Sequence, residues 1–178
     1  MKHSITVFFS AAVVLLSVVS CKKGDIGPEG PKGTANVIYS AWFTASPWVK
    51  DTVFDLYGFN YNKAATEITQ QVLDSGTVLT FGKLAGYNTL IWPAAQVGQL
   101  PITVSYKFSA GGITYNDTWS AIATAGNLRI RFVNDQNYYG SIATSHQFRY
   151  IIIPGGKPTA RIAQLSYAEL CKQYNIPE

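Results

Sequence analysis

Residues 101–133 read PITVSYKFSAGGITYNDTWSAIATAGNLRIRFV, and this stretch decides the fold. Over residues 102–109 the side chains of Ile, Val, Tyr and Phe alternate with those of Thr, Ser and Lys. Successive side chains of a β-strand point to opposite faces, so a strict alternation indicates a strand with one buried face. The stretch therefore begins with a half-buried strand.

Two turns divide the rest of this stretch. Gly111-Gly112 permits a tight turn with positive φ, and Ala125-Gly126-Asn127 is a second turn signal. Residues 113–123 run back between the turns, with Trp119 in phase with the core positions, and residues 128–133 alternate again. Three consecutive hairpin strands predict an antiparallel meander.

Further strands flank the meander. Segments rich in aromatic and β-branched residues occupy positions 36–45, 53–60, 77–84, 88–92 and 147–153. The last of them has apolar residues on both faces near its end, which predicts a central position in a sheet.

One internal segment departs from the strand period. In residues 62–73, Ala65, Ile68 and Val72 are spaced by three and four positions, which places them on one face of a short helix. Asn62 is the predicted N-cap, and Gly76 lies just past the predicted end.

A second helix is predicted near the C-terminus. Ser166 and Glu169 have the spacing of a capping box, in which each side chain bonds the backbone N–H of the other residue. Tyr167, Leu170, Cys171 and Tyr174 then recur at helical spacing, so this face is expected to lie on the sheet.

Eight short strands, two short helices and glycine-rich turns predict a mainly β domain over residues 34–178. An antiparallel β-sandwich with a short internal helix and a C-terminal helix is the favoured architecture, and a closed β-barrel is the alternative. A chain of this length can bury one sizeable core, so one domain suffices.

The N-terminal residues have a different character. Residues 1–20 carry Lys2 near their start, continue as an apolar run and predict a signal peptide, with a retained membrane-spanning helix as the alternative. Val18-Val19-Ser20-Cys21 resembles the lipobox of a bacterial lipoprotein. The resemblance implies cleavage before Cys21 and acylation of its sulfur. The alternative is a soluble secreted protein with a Cys21–Cys171 bridge.

In the Gram-negative families that this motif resembles, an aspartate after the cysteine favours retention in the inner membrane. Lys22 stands at that position, so the resemblance implies the outer membrane, and either a periplasmic or a surface-facing orientation.

Residues 21–33 form the predicted lipidated cysteine and linker. Glycine recurs at positions 24, 27, 30 and 33, with Pro28 and Pro31 between, which is the collagen pattern. Three triplets favour an extended spacer of about 30 Å over a trimeric stalk, and a homotrimer is the alternative. The layout resembles small Gram-negative lipoproteins that carry a short collagen-like segment before a β-rich domain of unknown function.

Composition argues against several function classes. Without residues 1–20 the chain keeps 13 basic and 10 acidic residues and no basic stripe, so nucleic acid is not an expected partner. His146 is the one histidine after the leader, so a zinc site of His and Cys lacks ligands, and neither a metal nor a cofactor is expected.

Catalytic arrangements are equally sparse. His146 is interpreted as a loop residue before a strand, no Gly-X-Ser-X-Gly elbow is present, and Cys171 falls on an apolar helix face where a thiol stays protonated. The acids of the domain over residues 34–178 are Asp51, Asp55, Glu67, Asp74, Asp117, Asp135, Glu169 and Glu178; they are scattered, and surface solvation explains them. The protein is therefore not expected to be an enzyme.

Residues 134–140 form a polar loop with ligand-binding character. Asn134, Asp135 and Asn137 carry amide and carboxylate oxygens next to Tyr138-Tyr139. Amides beside exposed rings suit sugar recognition, because rings stack on a pyranose face while amides bond its hydroxyls. The alternative is a solvated loop whose tyrosines fold into the core.

Two tryptophans extend this prediction. Trp48 and Trp92 lie beside prolines in predicted loops and are candidates for an exposed binding platform, with burial in the core as the alternative. Asp51-Thr52-Val53 also resembles an O-glycosylation site of some bacterial periplasmic proteins, which implies modification of Thr52.

Together these features predict a lipid-anchored envelope protein with a non-enzymatic domain that binds a partner protein or a glycan. Two alternatives remain. One is a structural protein assembled through residues 24–33, and the other is a glycan-active enzyme.

Overall fold

The computed structural model describes residues 36–155 and 164–178. The predicted signal peptide, Cys21 and the collagen-like linker lie outside these residues. The described strands and helices are, in chain order, β1 (Ile38–Tyr39), β2 (Phe43–Thr44), β3 (Val49–Val53), β4 (Leu56–Ala64), α1 (Gln70–Ser75), β5 (Thr77–Lys83), β6 (Gly98–Gln99), β7 (Ile102–Tyr106), β8 (Tyr115–Thr124), β9 (Asn127–Asn134), β10 (Gln147–Ile153) and α2 (Tyr167–Tyr174).

One sheet, which we call the meander sheet, has the order β3-β4-β9-β8-β7, with every neighbouring pair antiparallel. The predicted meander is confirmed as its last three strands. In register, Phe59 of β4 lies opposite Phe132 of β9, which lies opposite Trp119 of β8. These three side chains are buried on one face, as the alternation predicts.

The second sheet, which we call the β10 sheet, has the order β1-β10-β5-β6, and β2 also pairs with β10. The predicted central position of β10 is confirmed, and its residues from Phe148 to Ile153 are buried. The segment predicted as one strand over 36–45 is divided into β1 and β2. At the break, the Ser40 hydroxyl accepts the backbone N–H of Tyr150 at 3.1 Å, so a side chain replaces the backbone in the ladder.

The inner faces of the two sheets share one hydrophobic core. The meander sheet contributes Phe59, Trp119 and Phe132, and the β10 sheet contributes Phe148 and Ile152. Two antiparallel sheets packed through such a core confirm the predicted β-sandwich, and the described strands do not close into a barrel.

A second core lies on the other face of the β10 sheet, where α2 covers it. Leu170 and Cys171 of α2 pack with Phe81 and Ile151. The predicted capping box is confirmed, since Ser166 Oγ accepts from the Glu169 N–H at 3.3 Å and Glu169 Oε2 accepts from the Ser166 N–H at 2.8 Å. The β10 sheet is therefore buried on both faces.

Arg149 is a buried cation between this sheet and the chain ends. Its Nε donates to the Ser40 carbonyl at 2.9 Å, and its Nη1 donates to the Tyr167 hydroxyl at 2.7 Å and to the Pro177 carbonyl. The guanidinium also lies over the Tyr39 ring, at 4.9 Å from its centroid. Carbonyls, a phenol and a ring thus stabilise the charge.

The predicted strand over 53–60 and helix over 62–73 are wrong in their bounds. The chain forms β3, a turn at Phe54-Asp55 with positive φ at both residues, and then β4, which continues to Ala64. The ladder with β9 extends through residues 62–64 and overrides the helical spacing there. Helix α1 starts later, with Thr69 as its N-cap, and it ends before Gly76 as predicted.

The segment 88–92 is a turn rather than the predicted strand. The Asn88 carbonyl accepts from the N–H groups of Ile91 and Trp92, both at 2.9 Å, and the side chain of Leu90 is 94% exposed. The first hairpin of the meander is also shorter than predicted, because β7 ends at Tyr106 and β8 begins at Tyr115.

No helix within residues 36–155 and 164–178 combines the length and hydropathy that crossing a bilayer requires.

Candidate functional site

Four aromatic rings gather at one end of the meander sheet. We call Tyr106, Phe108, Tyr115 and Tyr138 the aromatic cluster. Phe108 lies 5.0 Å from Tyr138 and 5.1 Å from Tyr115, measured between ring centroids, and Tyr115 lies 5.5 Å from Tyr138. Phe108 is 62% exposed and Tyr138 is 54% exposed. Solvent therefore reaches two adjacent rings of the cluster.

The strand ends explain why these rings meet. Since β7, β8 and β9 are neighbours in an antiparallel sheet, the last residues of β7, the first of β8 and the last of β9 lie at the same end of the sheet. Tyr106 is the last residue of β7 and Tyr115 the first of β8, and they stack with an interplanar angle of 11°. Tyr138 follows β9 and packs on this pair.

Beneath the cluster lies Asp117, with no exposed surface. Its carboxylate accepts from Asn134 Nδ2 at 2.7 Å, from the Tyr87 hydroxyl at 2.8 Å and from the Tyr139 hydroxyl at 3.0 Å. We call these four residues the carboxylate cage. The expectation that surface solvation explains Asp117 is therefore wrong, because this carboxylate is buried and hydrogen-bonded.

The cage stabilises its charge with neutral donors. Among the described residues the ion pair of Arg131 with Asp51 is the only one. Burial raises the pKa of Tyr87 and of Tyr139 far above the ordinary phenol value, and the nearby Asp117 carboxylate acts in the same direction. Both phenols stay protonated and keep donating to Asp117.

The cage and the cluster are joined through Tyr106 and Tyr139. Their hydroxyls lie 2.9 Å apart, and the rings of Tyr138 and Tyr139 meet edge to face at 5.2 Å. The exposed rings therefore sit on a hydrogen-bonded base, which limits the side-chain freedom that a ligand would otherwise have to remove.

We call Ser105, Asn116 and Asp135 the polar rim; Ser105 and Asn116 lie opposite each other in the ladder and alternate with Tyr106 and Tyr115, so their side chains point to the other face of the sheet. Asp135 accepts from the Asn116 backbone N–H at 2.9 Å and from Asn116 Nδ2 at 2.7 Å, while the Ser105 hydroxyl donates to Asn116 Oδ1 at 2.6 Å. Partial burial acts to raise the pKa of Asp135, but the Asn116 hydrogen bonds outweigh it and hold this pKa below its usual value. The rim thus presents an ionised carboxylate, an amide and a hydroxyl at the same end of the sheet as the rings, but on its other face.

The other predicted amides of this loop have structural partners. Asn134 is buried, and its Oδ1 accepts from the N–H groups of Gln136 and Tyr138, both at 3.0 Å. Asn137 has φ of 54°; its Oδ1 accepts from the Tyr57 N–H at 2.7 Å, and its Nδ2 donates to the Asp55 carbonyl at 2.7 Å. These amides fix the loop that carries Tyr138.

Trp48 and Trp92 are half-buried against the main core. Trp48 meets Trp119 edge to face at 6.0 Å, and the Trp92 ring lies close over Gly98, where a Cβ would clash with it. The structure does not bring these indoles together with the loop tyrosines into one exposed platform. Phe108 and Tyr138 form the exposed pair instead.

Thr52 lies exposed on β3, the edge strand of the meander sheet. Its neighbour Asp51 accepts from Arg131 Nη1 at 2.6 Å. The hydroxyl of Thr52 is thus accessible, and its glycosylation stays a prediction.

The remaining chemical candidates are buried packing residues. His146 is 7% exposed, accepts the Ala85 N–H at Nδ1 over 3.2 Å and lies 4.4 Å from the Trp119 ring, and burial lowers its pKa to about 4. Cys171 lies on the face of α2 that packs on the β10 sheet and is buried there, as expected. Within residues 36–155 and 164–178, His, Cys, Asp and Glu form no group of three that could hold a metal ion.

Sequence reasoning found Tyr138 and Tyr139 but not Phe108, Tyr115 or Asp117. A signal for Asp117 was present, because it lies two residues from Tyr115 and two from Trp119 and so shares their face of β8. An acid in phase with core positions predicts a buried, hydrogen-bonded carboxylate.

The chain matches no protein-family model, no curated protein and no solved structure.

Proposed function

We propose that this protein is a lipid-anchored envelope protein whose sandwich binds carbohydrate, without catalysis, at the aromatic cluster. The observation that carries the proposal is the exposed pair Phe108 and Tyr138, 5.0 Å apart and supported from below by the carboxylate cage. Exposed aromatic groups of this kind are retained on a soluble surface chiefly where they contact a ligand or partner.

The chemistry of the site suits a sugar better than an apolar peptide. A pyranose presents C–H groups on its faces and hydroxyls around its edge, so it needs flat rings bordered by polar groups. Phe108 and Tyr138 supply the rings, and the phenol of Tyr138 and the exposed side chain of Gln136 in the same loop supply polar groups. Phe108 and Tyr138 each meet Tyr115 edge to face, and more than half of the surface of each remains exposed.

Binding without catalysis is favoured by the arrangement of the acids. Glycoside hydrolysis uses two carboxyl groups that flank one bond. Asp117 is enclosed in its cage, and Asp135 is bonded to Asn116 on the surface. This arrangement does not supply an acid–base pair that could flank a glycosidic bond.

The proposed anchor rests on the sequence. The lipobox-like Val18-Val19-Ser20-Cys21 supports acylation of Cys21, and Lys22 supports an outer-membrane location. Residues 24–33 would then act as a spacer that holds the binding site away from the membrane surface. Labelled palmitate should enter the full chain in a Gram-negative host and should not enter Cys21→Ser. Equal labelling of both chains would refute the anchor.

The binding proposal is tested by screening the purified full chain against a glycan array and measuring affinity for the best ligand. We expect Phe108→Ala and Tyr138→Ala each to weaken binding about tenfold, as loss of a central aromatic contact does. Leu90→Ala is the matched control, because Leu90 is an exposed apolar residue of a different loop. Absence of binding to every glycan, or unchanged affinity in both ring variants, would refute the proposal.

A further inference from the structure

A depression separate from the aromatic cluster lies between the start of β3 and the loop that precedes β10. Trp48, Lys50 and Phe59 line one side, and residues 140–142 with Thr144 line the other. Its volume is about 250 Å³, somewhat below the range of about 300–1,000 Å³ for small-ligand sites. The aromatic cluster and its rim contribute no residue to this depression.

Polar side chains line the depression. Lys50 Nζ lies 3.5 Å above the Tyr57 ring centroid but forms neither an ion pair nor a hydrogen bond with any described residue. Ser141 and Thr144 line the depression and are exposed. The wall thus combines an indole, an ammonium and two hydroxyl-bearing residues.

The charge on this face is positive. Lys50 lies opposite Phe59 in the ladder and so points to the same side of the sheet. Asp51, the next residue, points to the other side, where Arg131 pairs with it. No carboxylate lines the depression to neutralise Lys50.

We infer that this depression binds a single carboxylate-bearing sugar ring, such as a hexuronic acid. The ring packs on Trp48, the carboxylate pairs with the Lys50 ammonium, and the sugar hydroxyls bond Ser141 and Thr144. An aromatic wall alone would accept a neutral sugar equally well, whereas the unpaired ammonium gives preference to the acid. The inference uses residues separate from those of the proposed glycan site, so either can fail without the other.

Tryptophan indole resonances test the site directly. The full chain has four tryptophans, so a ¹⁵N-labelled sample gives four indole N–H signals, and Trp48→Phe assigns one of them. We expect sodium glucuronate to shift the Trp48 signal with a dissociation constant of about 1 mM, and glucose to bind about tenfold more weakly. Benzoate in a third titration separates recognition of a sugar acid from recognition of any aromatic or apolar acid.

Two lysine variants complete the test. Lys50→Gln should reduce glucuronate affinity about tenfold, to the level of glucose. Lys63→Gln is the matched control, because Lys63 also lies over an aromatic ring, that of Phe43 at 5.4 Å, but does not line the depression. Equal binding of glucose and glucuronate, tighter binding of benzoate, an unmoved Trp48 signal, or unchanged affinity in Lys50→Gln would each overturn the inference.

Discussion

Lowering the pH should destabilise the sandwich through one side chain, His146. The imidazole is buried against Trp119, and its Nδ1 accepts the Ala85 N–H, so the folded state holds the neutral ring. Protonation would place a charge among aromatic side chains and replace the acceptor at Nδ1 with a donor. Burial accordingly lowers the pKa of His146 from 6.5 to about 4.

The sign and size follow from proton linkage. Between pH 4 and 6.5 the unfolded chain binds a proton at His146 that the folded chain does not, so stability falls as the pH falls. A shift of this size corresponds to a loss of about 2 kcal/mol from pH 7 to pH 5, and of about 3 kcal/mol by pH 4. Above pH 6.5 the contribution of His146 is constant.

Urea denaturation followed by tryptophan fluorescence at a series of pH values measures this loss. His146→Gln is the control, because its amide oxygen can still accept the Ala85 N–H and does not titrate. The carboxyl groups with lowered pKa, Asp51, Asp135 and Glu169, also reduce stability in acid, but they do so in both chains and cancel in the difference. Parallel stability curves for the two chains between pH 4 and pH 7 would refute the reasoning.

Three further substitutions separate strong interactions from weak ones. In Asp117→Asn an amide NH₂ group faces hydrogen-bond donors, so the free energy of unfolding in urea should fall by about 3 kcal/mol and the near-ultraviolet tyrosine signal should decrease. A fall of less than about 1 kcal/mol would contradict the buried cage. Ser166→Ala removes the capping box with Glu169 and should cost about 1 kcal/mol, with faster amide exchange in α2; unchanged exchange would contradict it. Arg131→Met breaks the partly exposed pair with Asp51 and should cost less than about 1 kcal/mol; a larger cost that persists in high salt would show that the pair is stronger than its exposure implies.

The sheets could be predicted where burial is one-sided. In β9, Leu128, Ile130 and Phe132 face the core while the residues between them do not, so period two is visible in the sequence. In β10 both faces are covered, one by the meander sheet and one by α2. The burial of both faces is visible in the sequence as an apolar run that ends in Ile151-Ile152-Ile153.

The errors arise where tertiary contacts decide the local structure. Ala65 and Ile68 have helical spacing, yet they are buried in the turn before α1 rather than on a helix face. The run from Asn88 to Trp92 is apolar enough for a strand, but Leu90 and Ile91 are exposed in a turn. Spacing and hydropathy alone cannot distinguish these cases, because the partner that buries each residue is distant in sequence.

Only part of the candidate site could be predicted from the sequence, because distant contacts also decide which aromatic rings are exposed. Tyr138 lies in a polar loop and could be recognised as an exposed ring beside hydrogen-bonding groups. Phe108 was assigned to a core face because it continues the alternation of β7, and only the end of that strand at Tyr106 turns it toward solvent. Trp48 and Trp92, predicted to be exposed, are half-buried against the main core, and their role in binding stays a prediction.

The buried guanidinium of Arg149 has a consequence for how the chain could be reconnected. It bonds the carbonyls of Ser40 and Pro177, which brings these two carbonyl oxygens within about 6 Å of each other. A circular permutant, with a short glycine linker from residue 178 to residue 36 and new termini between Ala125 and Gly126, should therefore give the same amide spectrum apart from the new junctions. The fold would then not depend on the order in which the strands are synthesised. The arrangement of the sheets would depend on their side chains alone.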